Sequence, residues 1–147
     1  MNFKGHLLAG FIIGTLFILI THNFFDWFNY DLKSIGVYAI IISIYCLLPD
    51  SDLRNSTISY LFIAVSIIGM ILGYNYDVTN ILYSSFALLV ITFIAWNMKH
   101  RGFIHSLSFN VIVSAPLIYF FSYEVALLAF ICFYSHLITD EEYFKLV

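Results

Sequence analysis

Charge is scarce in this chain. Asp, Glu, Lys and Arg make up only 10% of the 147 residues, against about one quarter in soluble proteins. Hydrophobic types reach 62%, and no soluble core of this length could hide so much apolar surface. Cysteine occurs twice. Cys46 and Cys132 both lie inside apolar runs, where a free thiol is a small hydrophobe, so they give neither a disulfide framework nor a compartment signal. Proline also occurs twice. Pro49 ends one apolar run, and Pro116 predicts a kink or local loosening inside another. Basic residues number 6 against 9 acidic ones, a formal charge of -3, which argues against nucleic acid as the main partner.

What is abundant is continuous apolar sequence. Six runs stand out: Phe3–Ile20, Ile35–Leu48, Ile58–Gly73, Ile81–Trp96, Leu107–Phe121 and Val125–Leu137. Each falls a little short of the roughly 20 residues that cross a bilayer core, and flanking Tyr, Trp and His can complete them at the interface. Transmembrane β-strands alternate, so a barrel fits these unbroken runs worse than helices do. The expected fold is all-α: a polytopic membrane bundle of about six transmembrane helices in antiparallel hairpins, forming one integral membrane domain over residues 1–147. No small-x-small cleavage site follows the first run before Thr21-His22-Asn23, so it reads as a retained helix rather than a signal peptide. Thr21–Ser34 reads as a loop with room for a short interfacial segment carrying Phe24, Phe25, Trp27 and Phe28. Tyr74–Asn80 reads as a turn. The 16 Phe and 11 Tyr serve both as packing material and as interface anchors. Gly10 with Gly14, and Gly69 with Gly73, form GxxxG pairs that let membrane helices approach closely.

Six crossings put both termini on one side, with the Pro49–Thr57 and Asn97–Ser106 loops. Five of the six basic residues then fall there (Lys4, Arg54, Lys99, Arg101 and Lys145) and only Lys33 lies opposite. The positive-inside rule labels that side cytoplasmic. The polar groups suited to chemistry follow the same parity. His6, Asp50, Asp52, His100, His105, His136 and Asp140 all fall on the side with the basic residues, whereas the other loops hold Asp26, Asp31, Asp77 and Glu124 with only His22.

Each cluster has a plain and a chemical reading. His136 and Asp140 are one helical turn apart and share a face. They suit a divalent cation, or else a helix end with His on the dipole and Asp in water. Asp50-Ser51-Asp52 offers two carboxylates as ligands or base, or simply a helix-ending turn. His100-Arg101-Gly102-Phe103-Ile104-His105-Ser106 combines two imidazoles with a guanidinium that can fork onto phosphate; Arg101 could equally touch lipid phosphate, and Ser106 could simply cap the next helix. His6 precedes Gly10 by one turn, where a neighbouring backbone can come close. Cys46 and Cys132, one turn before Asp50 and His136, read as packing residues. Glu141 and Glu142 read as solvated.

These segments together resemble a known family. Gly5-His6-Leu7-Leu8, Leu48-Pro49-Asp50-Ser51-Asp52, the His100–Ser106 segment and Ser135-His136-Leu137-Ile138-Thr139-Asp140 are similar, in order and coarse spacing, to the motifs of the YdjM-like membrane-bound, metal-dependent hydrolases. The resemblance spans nearly the whole chain and implies an inner-membrane location. By motif position it points to His6, Asp50, Asp52, His100, His105, His136 and Asp140 as metal-site residues. Two departures accompany it: Leu53 stands where the family has His, and Glu141-Glu142-Tyr143-Phe144-Lys145 replaces the family's Leu-Thr-Pro and glycine.

The expected function is metal-assisted hydrolysis of a phosphoester in a lipid or membrane-proximal substrate, using one or two ions of Zn or Mn, with Mg also suitable. His6, Asp50, His105, His136 and Asp140 form the expected inner shell, with Asp52 and His100 as further ligands. Asp52, His100 and Arg101 are the expected catalytic groups: a base and a phosphate-oxygen clamp. Membrane lipids are the expected partners. A membrane metal-binding protein, a transporter or an assembly subunit are the alternatives; the apolar midplanes speak against transport.

Overall fold

The computed structural model describes residues 3–52, 56–98 and 102–140. They form seven α-helices: α1 Phe3–Phe25, α2 Leu32–Leu47, α3 Thr57–Asn75, α4 Thr79–Ala95, α5 Leu107–Ser114, α6 Leu117–Phe120 and α7 Tyr123–Thr139. Short 3-10 turns at Leu48–Asp52 and Phe103–His105 follow α2 and precede α5. Among the described residues, three stretches are long and apolar enough to cross a membrane: Lys4–Phe25, Leu32–Ser51 and Thr57–Asn75. The protein is therefore an all-helical integral membrane protein. Thr79–Ala95, Leu107–Phe120 and Tyr123–Thr139 are shorter apolar helices that follow the other three expected runs.

The helix starts follow local chemistry. Asp31 caps α2 by accepting from the amides of Lys33 and Ser34, both at 3.0 Å, and Ser56, Ser106 and Ser122 cap α3, α5 and α7 in the same manner. Ser106 thus performs the plain capping role. Pro49 follows the end of α2, and Pro116 separates α5 from α6, so the expected kink is a break.

The chain divides into two compact units, Met1–Pro49 with His105–Val147, and Asp50–Ile104. In the first, α7 is central: α1, α2, α5 and α6 all pack on it, and Leu128, Ala129, Cys132, Phe133 and Leu137 are fully buried. Polar bonds close a triangle among three of these helices. The Tyr45 hydroxyl of α2 donates to the Val113 carbonyl of α5 at 2.7 Å. The Asn110 amide of α5 donates to the Phe130 carbonyl of α7 at 3.0 Å. His136 of α7 donates through Nδ1 to the Cys46 carbonyl of α2 at 2.9 Å. Val113 and Cys46 each lie in the last turn of a helix.

The loop between α1 and α2 also differs from expectation. α1 continues through Thr21 to Phe25, and Asp26 ends it with φ 55°, its amide bonded to the His22 carbonyl at 2.9 Å. Phe28 is not interfacial: it is buried against Phe17 and Tyr38.

The second unit is the α3–α4 hairpin. Gly73 permits its tight approach, since a Cβ there would lie 2.6 Å from the Leu82 backbone nitrogen, and one on Gly69 would collide with the Ser85 hydroxyl. The turn narrows to three residues and places Asp77 at φ 56°.

Candidate metal centre

Three levels of packing bring the two ends of the chain together. At the first, a Cβ on Gly14 of α1 would lie 2.9 Å from Ile42 of α2 and 3.0 Å from the Cys132 sulfur of α7. One turn earlier in α1, a Cβ on Gly10 would lie 2.5 Å from Cys46 Cβ and 3.8 Å from the Ser135 hydroxyl. The GxxxG face of α1 therefore seats on both α2 and α7, and the two cysteines are the packing residues expected of them. One further turn along α1 stands His6, and one turn beyond Cys132 on α7 stands His136.

The imidazoles of His6 and His136 stack with centroids 3.9 Å apart and planes 20° from parallel. His6 Nε2 is 3.3 Å from Asp140 Oδ1, and His136 Nε2 is 3.6 Å from Asp140 Oδ2. His6 and His136 are buried, and the Asp140 side chain is only 5% exposed. Each residue offers a ligand atom, and all of these atoms lie within 4.8 Å of one another. The remaining ring nitrogens are engaged: His6 Nδ1 with the Thr139 hydroxyl at 2.7 Å, His136 Nδ1 with the Cys46 carbonyl. Two imidazoles and a carboxylate so placed fit a borderline divalent cation, with hydrogen bonds on the outer nitrogens of the kind that orient metal-binding histidines.

The family model of the YdjM inner membrane protein matches residues 1–142. The chain belongs to the YdjM family. No curated protein and no solved structure matches it.

The other expected residues of this YdjM-family protein fall variously. His105 is buried edge-on to His136, centroids 5.5 Å apart, but it is not one of the mutually close donors. Asp50 occupies the Leu48–Asp52 turn as the first residue of the second unit, directly after Pro49. The backbone of Asp52 ends that turn; its side chain, His100, Arg101, Leu53, Glu141 and Glu142 lie outside the described residues. His22, near the far end of α1 and about 24 Å from His6 at 1.5 Å per residue, bonds the Phe28 carbonyl at 2.8 Å and holds the loop. Sequence reasoning did not single out Thr139 or the Cys46 carbonyl. Thr139 could have been noticed as the hydroxyl beside Asp140 inside the family motif; the carbonyl left no signal.

Proposed function

We propose that this protein is a divalent-cation-dependent membrane hydrolase with its site at the cytoplasmic ends of α1 and α7. The observation that carries the reading is the convergence of His6, His136 and Asp140, from opposite ends of the chain, into one buried donor set. Membership of the YdjM family supports the membrane setting, and the resemblance to membrane-bound, metal-dependent hydrolases implies the chemistry.

His6, His136 and Asp140 hold the ion, and Asp50 completes a two-histidine, two-carboxylate set. Asp50 stands one turn beyond Cys46, whose carbonyl bonds His136. His105, Asp52 and His100 are further ligands or hydrogen-bonding supports. Zn or Mn suits the mixed nitrogen and oxygen donors best, and Mg is acceptable. When bound, such an ion lowers the pKa of water and polarises a phosphoryl group. Asp52 or His100 takes the proton of the attacking water, and Arg101 pairs with a phosphate oxygen. The substrate class is a phosphoester in a lipid or at the membrane surface.

The test is a substrate screen on purified protein loaded with Zn, Mn or Mg, offering phosphoester, carboxyl-ester and peptide bonds. Phosphate-bond cleavage is expected; cleavage of acyl or peptide bonds alone contradicts the phosphoester assignment. The burial of the donor set favours a second reading, because closed sites are typical of structural ions. There the ion is a staple between α1 and α7, and adding it raises the Tm with no hydrolysis of any substrate.

A further inference from the structure

Thr139 has no part in the chemistry above, yet it touches two of the histidines. We infer that Thr139 is a positioning residue that fixes the tautomer of His6, turning the Nε2 lone pair toward Asp140 and His136. The inference rests on the cation-site reading only for its consequence, not for its geometry.

A threonine hydroxyl has one hydrogen and two lone pairs. Thr139 donates that hydrogen to the His136 carbonyl at 2.8 Å, and a carbonyl can only accept. Its oxygen is left with lone pairs, so the 2.7 Å contact with His6 Nδ1 needs the hydrogen on the ring nitrogen. In the neutral ring, the form that can bind a cation, that single N–H on Nδ1 leaves the lone pair on Nε2, the atom 3.3 Å from Asp140 Oδ1; a protonated ring would instead donate from Nε2 to that carboxylate. Free histidine in water prefers the opposite form, with hydrogen on Nε2. That form would aim a donor into the space an ion would take. It would also set the lone pair of Nδ1 against those of Thr139 unless the hydroxyl abandoned the His136 carbonyl.

The helix end supplies the setting. α7 ends at Thr139, so the His136 carbonyl is among the terminal acceptors, and it takes both the Thr139 hydroxyl and, at 3.1 Å, the Asp140 amide. His136 is oriented in parallel by a backbone acceptor, since its Nδ1 must carry the hydrogen given to the Cys46 carbonyl. Two stacked rings thus present Nε2 to the two oxygens of one carboxylate. The last turn of α7 provides His136 and Asp140 as ligands, and Thr139 between them prepares the third.

The experiment is nitrogen-15 NMR of histidine-labelled, chelator-treated protein in detergent at alkaline pH, with His6 assigned through His6→Gln, followed by titration with Co2+ read by visible absorption. Wild type is expected to show Nδ1 of His6 as the protonated nitrogen. Thr139→Val, which keeps the shape and removes the acceptor, is expected to move the hydrogen to Nε2 and weaken Co2+ binding about 10–100-fold, the usual effect of removing such a support. Thr139→Ser restores both, and Thr139→Ala repeats the shift without a branched side chain. If His6 stays protonated on Nδ1 in the valine and alanine variants, or if serine fails to restore the wild-type pattern, the inference is overturned. A tautomer that moves as stated in a protein that takes up no Co2+ supports the role of Thr139 and overturns the cation site.

Discussion

Gly10 of α1 faces Cys46 of α2 so closely that a Cβ on the glycine would lie 2.5 Å from the cysteine Cβ. The cysteine carbonyl, in turn, orients His136. Gly10 therefore sets the distance between the helix that carries His6 and the helix that holds its partner in place. Gly10→Val forces α1 outward, and overpacking of this kind costs about 1–3 kcal/mol. The variant is expected to have a lower Tm and at least tenfold weaker Zn binding. Gly36→Ala is the control, because a Cβ at Gly36 meets nothing within 4 Å; it is expected to leave Zn binding unchanged. Thermal unfolding and Zn titration in matched detergent check both.

The Tyr45 hydroxyl supplies the hydrogen bond to the Val113 carbonyl just before the break at Pro116. Tyr45→Phe keeps the ring and leaves a buried carbonyl without that donor, a loss of about 1–3 kcal/mol. Asn110→Leu removes the second side of the triangle, the bond to the Phe130 carbonyl. If α2, α5 and α7 act as one clamp, the double variant loses a different amount of stability from the sum of the single ones. A double-mutant cycle on the unfolding free energy measures this; strict additivity would show that the two bonds act separately.

Asp31 gives a pH dependence with a definite sign. Hydrogen bonds from the Ser34 side chain and amide hold its carboxyl below the ordinary value of 3.8, and the group is exposed. Its folded pKa is depressed, so its stabilising effect is complete above 3.8 and is lost as pH falls through the folded pKa. Asp31→Ala is expected to lower the Tm at neutral pH and to bring variant and wild type together in strong acid. A Tm difference unchanged across that window would contradict the capping role.

Much of the fold was legible because apolar runs and caps are local features. α2, α3 and α4 begin and end within a few residues of the runs Ile35–Leu48, Ile58–Gly73 and Ile81–Trp96. Pro49 and Pro116 mark the end of α2 and the break after α5, and both GxxxG pairs mark close approaches. α7 extends beyond the run Val125–Leu137 at both ends, to Tyr123 and Thr139, because an apolar run does not report where the caps fall. Phe28 was misplaced for a related reason: a loop aromatic reads as interfacial until the ring is found seated between Phe17 and Tyr38. In the site, His136 with Asp140 followed from helical periodicity, whereas His6 alone read as interfacial and entered through its side of the membrane and the family resemblance. The contribution of the Cys46 carbonyl was hidden because a backbone acceptor has no letter in the sequence.

Metal content per protein decides whether His6, His136, Asp140 and Asp50 hold a divalent cation as proposed. Protein purified without chelator is compared with the His136→Ala, Asp50→Ala double variant at matched folding and detergent, by elemental analysis. Stoichiometric Zn or Mn is expected in wild type, and its loss in the variant. A folded wild-type protein that takes up no metal when offered Zn, Mn and Mg would contradict it.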